Sequence, residues 1–236
     1  MREGVEAAFD PAWPAASTGA RQAALPVKMH RLHQAVLRHF VDTGSPPSAD
    51  WVRTRATDLR LEPGVASAQL TAVDLVHLDA GMVSVAYPFS GVPRGHEVAL
   101  ADGPSVSAMC AIDALGIPQL TGRDATITAA DPTTGEPVRV EVRGRHWRWS
   151  PRSTVVLVAR THANGPSAVC TCGHVNFYTR REQAEAYLDE RADLIGQVLD
   201  QPAAVELAGV VFGELLRVRK TRLVRLPRMP IWRATA

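Results

Sequence analysis

Sulfur is scarce in this chain: 236 residues carry three cysteines and five methionines. Three cysteines cannot make a disulfide framework, and an odd count points to thiols kept reduced. Aromatic residues are few, at 6%, and no apolar run approaches the ~18 residues of a membrane span. The opening MREGVEAAFDPAWPAAS has early acids and no apolar core of a secretory signal, so the expectation is a soluble cytoplasmic protein. The phosphate-cradling loops G-x-x-x-x-G-K and G-x-G-x-x-G are missing, as are the hydrolase signatures G-x-S-x-G and H-E-x-x-H. Acids are absent after Glu214, where seven bases remain: Arg217, Arg219, Lys220, Arg222, Arg225, Arg228 and Arg233. The rest of the chain has 19 bases against 24 acids, so an acidic body precedes a basic tail. Hydrophobic residues at 46% and charged residues at 21% are ordinary values, enough to build a core and to exclude disorder of the whole chain.

Along the chain, residues 1–26 are rich in Ala, Pro, Ser and Gly without periodicity and read as a flexible arm. Met29, Leu32, Val36, Leu37 and Phe40 then recur at helical spacing. GSPPSAD breaks that helix, with Ser48 or Asp50 able to cap a second one reaching about Leu61. The segment VASAQLTAVDLVHL predicts a third helix, and HLDAGMVSVAYPFS a hairpin turning at Asp79-Ala80-Gly81. Three helices and a hairpin outline a winged-helix-like domain over 27–90. Its third helix has no Lys or Arg with which to neutralise phosphate, which disfavours nucleic acid as a partner. From 91 to 216 the pattern changes to short β-branched stretches between helices. A helix is predicted to start at DGPS, capped by Asp102 or Ser105, and to run through VSAMCAIDALGI. RDATITAAD and VRVEVRG form a hairpin about PTTGEP, while STVVLVART and PSAVCTCGHVNFY are further strands. Thr179 and Glu182 make a capping box ahead of a helix continuing to Leu199, and a last helix runs from about Ala203 to Arg219. The order implies an α+β fold with a mixed or antiparallel sheet flanked by helices, ending in a basic tail over 217–236.

Two elements offer chemistry. Cys110 and Asp113 stand three apart on a predicted helix, ~5–6 Å from each other on one face. A carboxyl buried there would keep its proton near neutral pH. A lone C-x-x-D is more often a structural cysteine beside a surface acid. On a regular strand, Cys170, Cys172 and His174 would share a face, offering soft ligands to a thiophilic metal. Together the elements account for every cysteine, and convergence of Cys110 with Cys172 would give a dithiol beside a proton donor. His30, His33 and His39 lie on one predicted helix and read as surface residues. RGRHWRWSPR, with Trp147 and Trp149 among bases, reads as a packed hairpin rather than a strand-binding loop.

The stretch MCAIDALGIPQLTGRDATITAADPTTGEPVRVEV, followed by CTCGHVNFYTRREQAEAYL, resembles the organomercurial (alkylmercury) lyase family over roughly residues 85–190. That family shows C-A-x-D-x-L, P-x-L-x-G-R, A-T-G-x-P and a Cys ahead of H-V-x-F-F, and a winged-helix-like N-terminal domain. The resemblance implies that Cys110 and Cys172 are the catalytic thiols and Asp113 the proton donor. It further implies that R–Hg–X is cleaved to R–H and Hg(II) without a cofactor. Hg(II) would sit on Cys110, Cys172 and Asp113 as product, with cellular thiols or a mercuric reductase as its acceptor. In two places the sequence departs from the pattern: Asp131 stands where relatives often carry a Cys, and Cys170 adds a third soft ligand candidate. Two other readings fit the residues alone. One is a metal-binding or metal-sensing protein without turnover, which has no need of a carboxylic acid at position 113. The other is a winged-helix DNA-binding regulator, which the uncharged third helix opposes.

Overall fold

The computed structural model describes residues 17–162 and 165–217. The strongest helical pattern becomes α2 (Val27–Thr43), after a short α1 (Thr18–Ala23). Met29, Leu32, Val36, Leu37, Phe40 and Val41 make the buried stripe of α2, and Gly44 ends it in the left-handed conformation at φ 73°. α3 (Ala49–Asp58) is capped by Ser48, whose hydroxyl accepts from the Trp51 N–H. α4 (Pro63–Ala72) is capped by Glu62, through the N–H groups of Gly64 and Val65, and stops short of the expected Leu78.

Part of the expected arm is therefore ordered structure. Ser17 caps α1, and Thr18 and Gln22 are buried. The reason lies far away in sequence, because Gln22 donates to His33 Nδ1 at 2.9 Å and to the Leu215 carbonyl at 3.1 Å. His30 and His33, expected at the surface, are buried in turn. They occupy the same face of α2 as Met29 and Val36, and burial pushes the His33 pKa down to about 3, with His30 and Arg21 acting the same way. His39, on the flank, packs against Trp51 with ring centroids 4.7 Å apart.

The expected hairpin is β1 (Val76–Asp79) and β2 (Met82–Ala86), followed by β3 (Phe89–Ser90), β4 (Glu97–Leu100) and β5 (Ser105–Ala108). With β6 (Ala125–Ala130), β7 (Pro137–Arg143) and β8 (His146–Ser150) they form one sheet in the order β1-β2-β3-β5-β4-β6-β7-β8, antiparallel at every pairing. The 90/91 division thus falls inside a continuous sheet. One hydrophobic cluster holds residues of α2 together with those of the later half. β8 lies in RGRHWRWSPR, where Trp149 is buried against the edge of Phe177 at 5.8 Å, as a packed hairpin requires.

Two helices expected from the sequence are shorter or begin later. Ser105–Ala108 alternates exposed and buried and pairs with β3 and β4, so it is strand, and α5 (Ala111–Thr121) begins only after Cys110. The helix expected from Thr179 to Leu199 is α7 (Arg181–Asp189) and then β11 (Leu194–Leu199). Leu194–Leu199 finds its backbone partners on the buried strand β9 (Val155–Thr161), where Gly196 admits the close approach of Ala159. β9 is flanked on its other side by β10 (Val175–Tyr178), completing a second, antiparallel sheet in the order β10-β9-β11. α8 (Gln201–Phe212), capped by Asp200, lies across α5 so closely that a Cβ at Gly116 would strike the Phe212 ring. The basic tail, apart from Arg217, lies outside the described residues.

Asp131 is the joint between the two sheets. Its buried carboxylate accepts from the N–H groups of Thr133 (2.8 Å) and Thr134 (3.2 Å) in the β6–β7 turn. It also accepts from the Thr179 N–H at 2.8 Å and hydroxyl at 3.3 Å, just past β10. Thr179 commits its N–H to Asp131, its hydroxyl lies closer to Glu136 Oε2 at 2.9 Å, and it caps no helix. Asp131→Ala should strand these donors and lower stability by roughly 3–5 kcal/mol, with Asp131→Asn intermediate, as read by urea unfolding.

Candidate functional site

α5 is buried along nearly its whole length, Ala111 to Pro118 and Leu120. Its N-terminus is therefore buried, and the residues there inherit a low-dielectric setting. Cys110 is the extended N-cap residue (φ −161°, ψ −178°) and Asp113 lies in the first turn. The three-residue spacing works here as cap to first turn rather than as one helix face, and it brings Cys110 Sγ to 2.5 Å from Asp113 Oδ2. Asp113 Oδ1 is buried and makes no hydrogen bond.

Cys172 arrives from the other direction. The segment expected to be one strand is a turn of helix, α6 (Ser167–Cys170), then a 3₁₀ turn over Cys172–His174, and only then β10. Successive residues in such turns rotate by ~100–120°, so positions 170, 172 and 174 no longer share a side. Cys172 faces α5, and its sulfur, Cys110 Sγ and an Asp113 oxygen all lie within 4.8 Å of one another. Cys170 is buried and lies against Gly165, outside that group. His174 also turns away, its Nδ1 3.2 Å from the Tyr187 hydroxyl. The Cys110–Asp113–Cys172 set is the only such cluster among the described residues.

Burial pushes the Cys110 thiol well above its ordinary pKa, and neighbouring Cys172 adds to the effect. Burial likewise pushes Asp113 well up, reinforced by Cys110. At Cys172 the hydrogen bond with Cys110 pulls the pKa down, but burial and the carboxylates of Asp113 and Asp74 outweigh it and leave it raised. All three shifts favour the protonated, uncharged forms of the trio. A soft cation entering it reverses this balance, since coordination removes thiol protons outright.

A cavity of about 330 Å³ opens over the trio, walled by Val158, Val175, Leu207, Val211 and Phe212. Arg21 and Asp74 stand at its rim, paired at 2.7 Å. Tyr87 also lines it. No motif in the sequence marks Asp74 or Tyr87, because each acts through partners remote in the chain.

Two buried thiols beside a buried carboxyl, set between the two sheets of an antiparallel α+β fold, make a donor set of the kind a soft metal can be held by. The alkylmercury lyase (MerB) profile matches residues 89–213, and the chain belongs to that family. It is 32% identical over 117 residues to the alkylmercury lyase of Bacillus cereus, covering 49% of this chain and 52% of that one. To the alkylmercury lyase of Staphylococcus epidermidis it is 29% identical over 139 residues, covering 58% and 63%. The chain thus spans about half the length of the curated relatives it matches. Its fold is similar to that in the crystal structure of the mercury-bound form of MerB2, with a TM-score of 0.68 at 20% identity over 85% of this chain and 97% of the other.

The raised pKa of Asp113 has a consequence for stability. Its folded value lies above the ordinary ~3.9 of an unfolded Asp, so its contribution is complete below about pH 4 and is lost as pH rises toward the folded value. Asp113→Asn removes that loss. Its melting temperature relative to wild type should therefore climb between pH 4 and pH 8, and a difference independent of pH would contradict the assignment.

Proposed function

We propose that the chain is an organomercurial lyase, acting on R–Hg–X to give R–H and Hg(II) held by Cys110 and Cys172. The observation that carries the proposal is the meeting of two thiols and a carboxyl within 4.8 Å in a buried setting, where burial pushes the carboxyl pKa up. Membership of the alkylmercury lyase family supports it, as does a fold shared with a mercury-bound protein. The balance is R–Hg–X plus two thiols giving R–H, a mercury dithiolate and HX. One thiol proton leaves with X, and the other passes through Asp113 to carbon as the Hg–C bond breaks. Cys110 already donates toward Asp113 Oδ2, which provides the proton path. Two thiolates load electron density onto mercury and make the carbon a better base, while the apolar wall of the cavity keeps water from competing. A neutral mercurial R–Hg–X carries no net charge into the buried site, so its entry leaves no unpaired charge there.

The metal is substrate and product, so the reaction we propose needs no further cofactor. Cellular thiols or a mercuric reductase would take up Hg(II) from the dithiolate by exchange. Free thiols at all three cysteines suit a reducing compartment, the cytoplasm. No helix among the described residues is long and apolar enough to cross a membrane.

Incubation with phenylmercury or methylmercury and excess thiol should release benzene or methane. Cys110→Ala, Cys172→Ala and Asp113→Ala should each lower release by about 100-fold or more, while Cys170→Ala keeps most of it. Wild type that binds Hg(II) yet releases no hydrocarbon would sink the lyase reading and leave a metal binder.

A further inference from the structure

The turn of helix that leads the chain into Cys172 is not held by its own sequence. α6 has four residues, follows Pro166 as its N-cap residue and has no side-chain cap of its own, and an isolated turn of this length does not persist in water. Its first N–H groups are satisfied from another part of the chain. Asp74 Oδ2 accepts from the Ser167 N–H at 3.0 Å and from the Ser167 hydroxyl at 2.7 Å. The Tyr87 hydroxyl accepts from the Ala168 N–H at 2.7 Å and itself donates to Asp74 Oδ1 at 3.2 Å. Arg21 Nη1 and His77 Nε2 complete the set around the same carboxyl, each at 2.7 Å. Burial acts to raise the pKa of Asp74, but the hydrogen bonds of Ser167 and His77 and the charge of Arg21 outweigh it and hold the carboxyl below its ordinary value. Asp74 adopts φ 51°, a left-handed conformation that few residues with a Cβ take up, and so costs local strain that its contacts offset.

We propose that Asp74, with Tyr87, is a positioning residue that caps α6 in trans and thereby sets Cys172 at chelating distance from Cys110. The assignment rests on the dithiol reading of the site and deepens it. Asp74 touches neither thiol; it acts through Ser167, five residues ahead of Cys172. Arg21 of α1, which lines the cavity, pairs with the same carboxyl, so the helix over the cavity and the segment bearing the second thiol share one anchor.

The test measures Hg(II) affinity of the full chain by competition with glutathione, alongside peptide-mapped labelling of Cys172 by N-ethylmaleimide and thermal melting. Asp74→Asn preserves shape and tolerates the left-handed backbone. It is expected to weaken Hg(II) binding by about tenfold or more and to speed Cys172 labelling, out of proportion to any change in melting. Ser167→Ala, which deletes a single hydroxyl, should shift both readouts in the same direction and decides the matter if Asp74→Asn does not fold. A merely structural role would lower the melting temperature and leave the affinity of folded protein within twofold, and that result overturns the assignment. Wild type that fails to hold Hg(II) through two thiols overturns the site reading and this assignment together. Wild type that chelates, beside variants that chelate equally well, overturns this assignment alone.

Discussion

The contact between Cys110 and Asp113 at the buried N-terminus of α5 is the interaction on which the rest depends. A thiol and a carboxyl 2.5 Å apart in water would be unremarkable and would titrate near their ordinary values. Here α5 is enclosed by both sheets and by α8, whose Phe212 lies against Gly116. Desolvation pushes both pKa values up and so favours the protonated forms of the pair. β4, β5, β6, β9, β10 and α8 pack against α5, and α1 and α2 join α8's C-terminal end through Gln22, Gln34 and the Leu215 carbonyl.

Geometry of this kind separates the roles of the two thiols. Cys110 is fixed by a regular element, as the cap of a helix that packing would form in any case. Cys172 is delivered by a one-turn helix and a 3₁₀ turn, pieces with little stability of their own. The dithiol is therefore rigid on one side and dependent on long-range hydrogen bonds on the other. That asymmetry suits the proposed reaction, in which a metal enters, is gripped by both sulfurs and is given up again to external thiols.

Much of this was legible in the residues. Cys110 and Asp113 stood out by spacing, and the spacing survived even though the helix begins at Ala111 rather than before Ser105, since cap-to-first-turn and face-to-face pairs both span one turn. Cys172 was found by its neighbourhood, but Cys170 and His174 were placed beside it only because a strand was assumed where helical turns occur. The hairpins about Asp79-Ala80-Gly81 and PTTGEP followed from local turn chemistry. Burial of His33 and the role of Asp74 were not readable, because their partners lie far along the chain: 11 residues away for Gln22 and 93 for Ser167. Leu194–Leu199 belonged to the same class, since a helix and a buried strand of that length differ only in what flanks them.

Asp131 stands where alkylmercury lyases often carry a cysteine, and it joins the two sheets through oxygen rather than sulfur. A carboxylate has little affinity for a soft metal compared with a thiolate. The frame of a protein whose proposed product is free to attack any exposed sulfur is thus fastened, at this joint, by a group that mercury ignores. Cys170 is then the single thiol apart from the working pair, tucked against Gly165 and buried. Outside the site the scaffold thus offers a soft metal one thiol, and that one is buried.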